Sequence, residues 1–231
     1  MGNKKNKAFD NWTKAYRETI GSPKDLNWPP TPLIRMFKGN YIPGIKKDYK
    51  GKKVLDIGCG TGNNMIFFKS LGLKLYGTEV TDEICRITRD KMSPFGINPD
   101  IRTGTNRNIP FDDDYFDYLV SWNVIHYENN EEDMKQAIRE YARVLKKGGR
   151  LFLSTTGPKH MIKENAQIVG PHLYKIGRKD DFRKGEVFFY FDTPEYIKYY
   201  FSDQFRDIYI GTVSDFMFTE WQDYFLVTAV K

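Results

Sequence analysis

The 231-residue sequence contains little cysteine, little histidine and no long apolar run. Two cysteines do not make a disulfide framework, and the three histidines have no metal-ligand spacing, so we expect no metal. No stretch reaches the roughly 20 apolar residues that a transmembrane helix needs, and residues 1–7 lack the apolar core of a secretory signal. We therefore expect a cytoplasmic protein without a membrane anchor.

The net charge of +6 is not concentrated in a basic run. Lys4, Lys5 and Lys7 supply half of it, and the other basic residues are interspersed with acids. Proteins that bind nucleic acid typically gather their basic residues into one patch or stripe. The charge pattern therefore favours acidic small molecules at least as much as nucleic acid.

Strand and helix patterns alternate through residues 51–156. Apolar runs predict strands at 54–57, 73–78, 101–103, 116–122 and 151–155. The intervening patterns predict helices at about 63–71 and 81–91, and a third that starts near Met134 and is stopped by Gly148-Gly149. After an interruption at 157–192, a helix is predicted from Pro194, followed by strands at 205–212 and 224–230. This alternation predicts a parallel sheet whose ligands bind beyond the carboxyl ends of the strands.

The turn after the first predicted strand carries glycine at alternate positions, in Gly58-Cys-Gly-Thr-Gly62. Glycine permits a positive φ and the close approach of a ligand to the backbone. The Gly-x-Gly-x-x-Gly pattern of dinucleotide folds fails because Asn63 stands at the sixth position, and no Gly-Lys-Ser/Thr of a P-loop follows. The loop therefore predicts a ligand without a pyrophosphate.

Two acids accompany the loop, Asp56 before it and Glu79 at the end of the second predicted strand. An acid at the end of the second strand can accept hydrogen bonds from both hydroxyls of a ribose. Asp56 can hold an ammonium group, directly or through water. The ligand implied is a nucleoside with a cationic amino-acid tail.

Four motifs in this order resemble those of the class I S-adenosylmethionine-dependent methyltransferases. They are Val54–Gly62, Glu79, Gly104–Asp117 and Tyr141–Leu151. The resemblance implies a Rossmann-like, doubly wound α/β sheet of seven mostly parallel strands with a C-terminal antiparallel hairpin. It also implies a methyltransferase domain over residues 51–231 with a lid insertion at about 157–192, after a cap segment over 1–50.

The resemblance implies S-adenosylmethionine as the cofactor and assigns residues to it. In related enzymes an N-terminal helix covers the cofactor, which points to Tyr16 and, less strongly, Trp12 on a helix predicted at about 9–19. In the third motif the family usually has an Asp facing the adenine, where this sequence has Thr105 and Asn106. The predicted cofactor-binding residues are Asp56, Gly58, Cys59, Gly60, Glu79, Val80, Thr105, Asn106, Ser121 and Tyr16.

His126 is the candidate catalytic base. It follows the fourth predicted strand, and its free pKa lies near neutrality. Methyl transfer mainly requires alignment and the exclusion of water, and it needs a base only where the acceptor loses a proton early. His126 is therefore interpreted either as a base or as part of the pocket wall.

The predicted lid is basic and carries two histidines, which suggests an anionic acceptor such as a carboxylate or phosphate. The alternative is that these are solvated loop charges beside acids. The predicted substrate-binding residues are Arg35, His160, His172 and Arg178.

Three functions follow from these patterns. The first is methyl transfer to an oxygen or nitrogen of a small, anionic metabolite, and the second is methylation of RNA or protein. The motifs associated with methylation of adenine, glutamine amides or cytosine C5 are missing after the fourth strand and around the cysteines. The third is a non-catalytic cofactor-binding interaction protein, against which the intact Asp56 and Glu79 argue.

Overall fold

A computed structural model describes residues 7–22 and 25–231 of the chain. The rest of the predicted cap segment, including Lys4 and Lys5, lies outside the described residues.

A central sheet organises the fold. The strands of the described chain are β1 (Lys53–Ile57), β2 (Lys74–Glu79), β3 (Asp100–Thr103), β4 (Phe116–Trp122), β5 (Leu145–Thr156), β6 (Gln167–Gly170), β7 (Leu173–Lys175), β8 (Val187–Phe189), β9 (Arg206–Met217) and β10 (Glu220–Val230). Seven of them form one sheet in the order β3-β2-β1-β4-β5-β10-β9. The first five pair in parallel, and β10 runs antiparallel to both β5 and β9. This confirms the predicted fold class.

Helices cover the sheet. Those of the described chain are α1 (Lys7–Thr19), α2 (Thr31–Lys38), α3 (Asn63–Ser70), α4 (Asp82–Met92), α5 (Glu131–Val144) and α6 (Pro194–Phe201). The predicted start of α4 is confirmed, because the Thr81 side chain accepts a hydrogen bond from Ile84 N at 3.2 Å. Acids in the first turn of α4 add a favourable interaction with the helix dipole.

The core lies on both faces of the sheet, because successive strand residues point to opposite faces. Leu55 and Ile57 of β1 pack with the buried side chains of α5 and α6. Val54 packs on the other face with those of α2 and α3. The carboxyl ends of the strands are thereby fixed between two packed layers.

α2 was missed by the sequence analysis, which predicted no helix between the one at about 9–19 and the first strand. Pro32 stands in the first turn of α2, where a proline costs no helical hydrogen bond. The apolar face of α2 buries Leu33 and Phe37 completely, and the Phe37 ring stacks on Phe152 with centroids 4.3 Å apart. The prolines therefore mark the start of a helix.

The end of α5 was also predicted too late, at Gly148-Gly149. α5 ends at Val144, and β5 begins at the next residue. Leu145 pairs with Phe116 of β4, and its carbonyl accepts a hydrogen bond from Lys231 Nζ at 2.7 Å. Sheet pairing thus ends the helix before the glycines do.

The segment between β5 and α6 has its own small sheet. β6, β7 and β8 pair antiparallel in that order. We call residues 157–192 the lid.

The described residues include neither a candidate membrane-spanning helix nor a candidate metal site. No helix among them is long and apolar enough to span a bilayer. Nor do any three His, Cys, Asp or Glu side chains among them gather as a metal site would require.

Candidate active site

A cavity of about 450 Å³ opens at the carboxyl ends of β1, β2 and β4. This is the switch point of the sheet, where β1 lies between β2 and β4, and the volume suits a small-molecule ligand. Strand ends, α1 and the lid all contribute to its wall. The lining residues are Ala8, Phe9, Trp12, Tyr16, Ile57, Gly58, Thr78, Glu79, Val80, Gly104, Thr105, Asn106, Arg107, Trp122, Asn123, Val124, Tyr127, Glu128, Asn129, Arg183 and Glu186.

The glycine loop has the backbone conformation that its sequence predicts. Gly58 and Gly60 have φ values of +58° and +56°, a region that other residues rarely adopt. A Cβ at Gly58 would lie 2.7 Å from the Val124 side chain, and one at Gly60 would lie 3.0 Å from Tyr16 Oη. The loop is therefore packed tightly between Val124, which follows β4, and Tyr16 of α1.

Glu79 lies at the end of β2 and is 4% exposed. Its carboxylate accepts hydrogen bonds from Gly60 N at 2.7 Å and from Val80 N at 3.0 Å. Burial raises the pKa of Glu79 to about 7, although both backbone donors act in the opposite direction. A carboxylate has about four acceptor positions, so Glu79 retains two that a ligand in the cavity can use.

Asp56 lies beneath the cavity and not on its wall. It is 1% exposed, and Asn64 Nδ2 lies 3.2 Å from each of its oxygens. Burial raises the pKa of Asp56 to about 7 as well, and the nearby Glu79 acts in the same direction. Cys59, a residue of the loop itself, is buried, and its thiol lies beside Gly77 of β2. Of these predicted cofactor residues, Glu79 therefore has the most direct access to the cavity.

A buried hydrogen-bond network supports the wall beside β3 and β4. Asn106 Nδ2 donates to Glu128 Oε1 at 2.9 Å, and the Asn106 side chain accepts from Tyr141 Oη at 2.6 Å. Tyr141 Oη in turn lies 2.9 Å from Ser121 Oγ, and Ser121 is completely buried. Thr105 and Asn106 line the cavity, whereas Ser121 lies behind its wall.

Trp12 of α1 connects the helix to the lid. Its ring makes edge contacts with Tyr127, with centroids 5.2 Å apart, and with Phe182 of the lid at 4.8 Å. α1 is held to α4 by an ion pair between Arg17 and Glu83, in which Arg17 Nη2 lies 2.6 Å from Glu83 Oε2. α1 and the lid therefore close the cavity together.

Arg183 and Glu186 bring the lid to the cavity, and sequence reasoning missed both as site residues. Arg183 donates to Asp181 at 2.7 and 2.6 Å and to Tyr127 Oη at 3.0 Å. In the described structure Glu186 Oε1 is buried without a hydrogen-bond partner. Burial raises the pKa of Glu186, against the lowering effects of Asn11 and Arg183. In the sequence, these residues differ little from the other charges of the lid.

His126 lies behind Tyr127 and not on the cavity wall. It is 2% exposed, and its ring centroid lies 4.7 Å from that of Tyr127 and 4.9 Å from that of Phe188. Burial lowers the pKa of His126 well below its usual value, and Arg183 acts in the same direction. The position favours the interpretation as wall support, and the role of a base stays a prediction.

The four predicted substrate-binding residues do not come together at the cavity. Arg35 is exposed on α2, and Arg178 forms ion pairs with Glu164 at 3.2 Å and with Glu220. His160 is buried and accepts a hydrogen bond from Ile162 N at 3.1 Å; His172 Nδ1 lies 3.1 Å from Asp192. None of the four lines the cavity, so their predicted role is untested by this geometry.

A known protein family matches the part of this chain that includes the glycine loop and Glu79. Residues 54–149 match a methyltransferase domain family. An uncharacterized methyltransferase YcgJ of Bacillus subtilis is 33% identical over 102 residues, which cover 44% of this chain and 39% of that protein. A probable tRNA methyltransferase 9B of Mus musculus is 30% identical over 138 residues, covering 60% and 28%. The chain thus covers less than half the length of these two relatives.

A solved structure has the same fold. The crystal structure of a SAM-dependent methyltransferase from Methanosarcina mazei has a TM-score of 0.69 and 19% identity, and the match covers 87% of this chain and 98% of that one. At 19% sequence identity, the similarity shows that the two proteins share a fold and does not extend to function. The family match ends before the lid, which leaves the lid's contribution to be argued from its own contacts.

Proposed function

The chain belongs to the class I S-adenosylmethionine-dependent methyltransferase superfamily, and from this premise we propose that it transfers a methyl group from S-adenosylmethionine to an oxygen or nitrogen of a small acceptor. The observation that carries the proposal is the single cavity that joins Glu79 at the glycine loop to Arg183 and Glu186 of the lid. One end offers free acceptor positions for a nucleoside, and the other is closed by α1 and the lid.

The residues present fit the cofactor. The free acceptor positions of Glu79 suit the two ribose hydroxyls, and the Gly58–Gly60 backbone permits a close approach. Tyr16 and Trp12 bring aromatic rings to the cavity wall, and such rings attract a sulfonium. Asp56, which is buried beneath, fits a contact with the ammonium group through water better than a direct one. When bound, the cofactor supplies a methyl group already activated for displacement by its positively charged sulfur.

The chain's own contribution is alignment and the exclusion of water. Trp12, Tyr127 and Phe182 form an aromatic cluster between α1 and the lid. Arg183 holds the lid against this cluster by donating to Tyr127 Oη while Asp181 fixes its guanidinium. These contacts favour an enclosed reaction space over an open groove.

The enclosure supports a small acceptor over a polymer. Its anionic character stays a prediction, because Arg183 is the lid cation on the cavity wall and it is paired with Asp181. The cytoplasmic location likewise stays a prediction. Methylation of RNA is the second candidate, favoured by the similarity to a probable tRNA methyltransferase.

Transfer of a labelled methyl group tests the proposal. The protein is incubated with methyl-labelled S-adenosylmethionine and, separately, with a metabolite extract, total RNA and a protein extract, each with Glu79→Ala as the control. We expect label in the metabolite fraction with the wild-type protein and a large loss with Glu79→Ala. Label confined to RNA or protein would support the second candidate. No transfer to any fraction, despite cofactor binding, would favour the non-catalytic alternative.

A further inference from the structure

Glu186 stands apart from the other carboxylates on the cavity wall. Glu79 accepts two backbone hydrogen bonds, and Glu128 is bonded to Asn106 at 2.9 Å and paired with Arg107 at 3.0 Å. Glu186 Oε1, in contrast, is buried without a hydrogen-bond partner in the described structure. A buried polar atom without a partner costs about 1–3 kcal/mol, so such an atom in a binding cavity marks a place for a ligand donor.

The neighbours of Glu186 do not neutralise it. Arg183 is the lid cation on the cavity wall, but its guanidinium donates two hydrogen bonds to Asp181 and a third to Tyr127 Oη. Arg183 and Asp181 act on the pKa of Glu186 in opposite directions, so the two charges of this ion pair partly offset each other there. Asn11 of α1 interacts with the Glu186 carboxylate, which leaves the second oxygen for a ligand.

The position of Glu186 is held by the lid backbone. Its N–H donates to Arg183 O at 2.9 Å, and its C=O accepts from Ile176 N at 2.9 Å, so the backbone of Glu186 is held on both sides of its Cα. The next residue begins β8, which is paired with β7. The carboxylate is thus presented by a structured part of the lid, on the wall where α1, Tyr127 and the lid enclose the reaction space.

We propose that Glu186 is the acceptor-binding residue and proton acceptor of the transfer, and that the methylated atom is therefore a hydroxyl oxygen or an amine nitrogen that carries a hydrogen. This inference rests on the proposed function. Glu186 Oε1 accepts the hydrogen bond of the acceptor O–H or N–H and orients its lone pair. A carbon nucleophile, or an amine nitrogen without a hydrogen, cannot donate a hydrogen bond to Glu186 Oε1.

In the proposed methyl transfer, every bond, electron pair and proton is accounted for. The acceptor atom forms a bond to the methyl carbon, and the carbon–sulfur bond breaks with its electron pair going to sulfur, which becomes neutral. The proton of the acceptor passes to Glu186 Oε1 and then to solvent on release of the product. No further reactant is needed, and the raised pKa that burial gives Glu186 suits a group that must hold this proton briefly.

Two cofactor analogues test the role of Glu186 without a known acceptor. S-adenosylhomocysteine has no group at the methyl position. In sinefungin a carbon replaces the sulfur and carries an ammonium group at the methyl position, which presents N–H donors toward the acceptor side. Dissociation constants of both are measured by calorimetry at pH 8 for the wild type and Glu186→Gln. Glu164→Gln, an exposed carboxylate of the same lid, is the matched control.

We expect Glu186→Gln to weaken sinefungin binding by about tenfold, because a charge-assisted hydrogen bond is lost. S-adenosylhomocysteine should bind within about twofold of the wild type, which also demonstrates that the variant is folded, and Glu164→Gln should change neither constant. An unchanged preference between the two analogues in Glu186→Gln would overturn the role of Glu186 alone. Failure of the wild type to bind either analogue would overturn the proposed function, and the inference with it.

Discussion

At the scale of single residues, the buried carboxylate of Glu79 is central to the proposed cofactor site. Burial raises its pKa to about 7, and the two backbone donors that hold it do not offset this effect. Near neutral pH the unliganded protein therefore carries Glu79 partly protonated. Ribose hydroxyls need the ionised carboxylate as an acceptor of both hydrogen bonds, so binding favours loss of the proton.

The affinity for S-adenosylhomocysteine should accordingly increase as the pH rises from 6 to 8, with release of protons on binding. Calorimetry in buffers of different ionisation enthalpy measures both quantities. In Glu79→Gln the affinity should be weaker and its dependence on pH smaller. An affinity that stays constant across this range in the wild type would contradict the role assigned to Glu79.

The same pKa shift fixes the sign of the pH dependence of folding. The unfolded carboxyl loses its proton near pH 4.5, whereas the folded one retains it to about pH 7. Between these values the folded state binds more protons, so this group makes the unliganded protein less stable as the pH rises. Denaturant unfolding at pH 5 and pH 8 should reveal a smaller decrease in Glu79→Gln than in the wild type.

Gly58 tests the tight packing of the loop. Gly58→Ala places a methyl group 2.7 Å from the Val124 side chain and keeps an unfavourable φ of +58°. Gly148→Ala is the matched control, since Gly148 has a φ of +78° but nothing within 4 Å of its Cβ position. Both should lose about 1 kcal/mol of unfolding free energy to backbone strain, and Gly58→Ala should lose more and bind S-adenosylhomocysteine more weakly. Equal losses with unchanged binding in Gly58→Ala would contradict the packing argument.

At the scale of elements, α1 and the lid act as one cover because Trp12 lies between Tyr127 and Phe182. Trp12→Ala removes these edge contacts, each worth about 0.5–1.5 kcal/mol beyond burial. We expect faster tryptic cleavage of the lid after Lys179 or Lys184 and weaker binding of S-adenosylhomocysteine.

Trp28→Ala is the control for this experiment, because Trp28 is 64% exposed before α2. It should leave both the cleavage rate and the affinity unchanged. Lid cleavage that is equally fast in the wild type and in Trp12→Ala would mean that α1 does not hold the lid.

The strands and helices around the glycine loop were predictable because each has a strong local signal. The apolar run before Gly58 predicted β1, and Thr81 with two following acids predicted the start of α4. α2 was not predictable in the same way, since its prolines suggest interruption until the buried Phe37 is seen. β6 and β7 were missed because their residues are mostly exposed, so burial leaves no periodic pattern.

At the scale of the whole molecule, the site combines residues that lie far apart in the chain. Glu79 could be predicted from its position after the glycine loop. Glu186 could not, because its significance depends on Trp12 and Tyr127 closing the same cavity and on Asp181 neutralising Arg183. The predicted substrate residues illustrate the converse, since Arg178 is basic but paired with two acids away from the cavity.

The position of the lid charges relative to the cavity, and not their number, decides which of them can contact a ligand. Most of its basic residues lie away from the cavity, and Glu186 contributes the free polar atom there. The proposed acceptor class therefore depends on a few contacts that only the folded chain assembles. The cofactor end, in contrast, is described by motifs that are local in sequence.

Calorimetric titration with S-adenosylhomocysteine tests the central claim, that this cavity is the cofactor site, most directly. We predict one binding site per chain with a micromolar dissociation constant, and a loss of roughly 1–3 kcal/mol of binding free energy in Glu79→Ala, where ligand hydroxyls lose their acceptor. Glu132→Ala, an exposed acid on α5, should bind like the wild type. No binding to the wild type, or equal affinity in Glu79→Ala, would contradict the account.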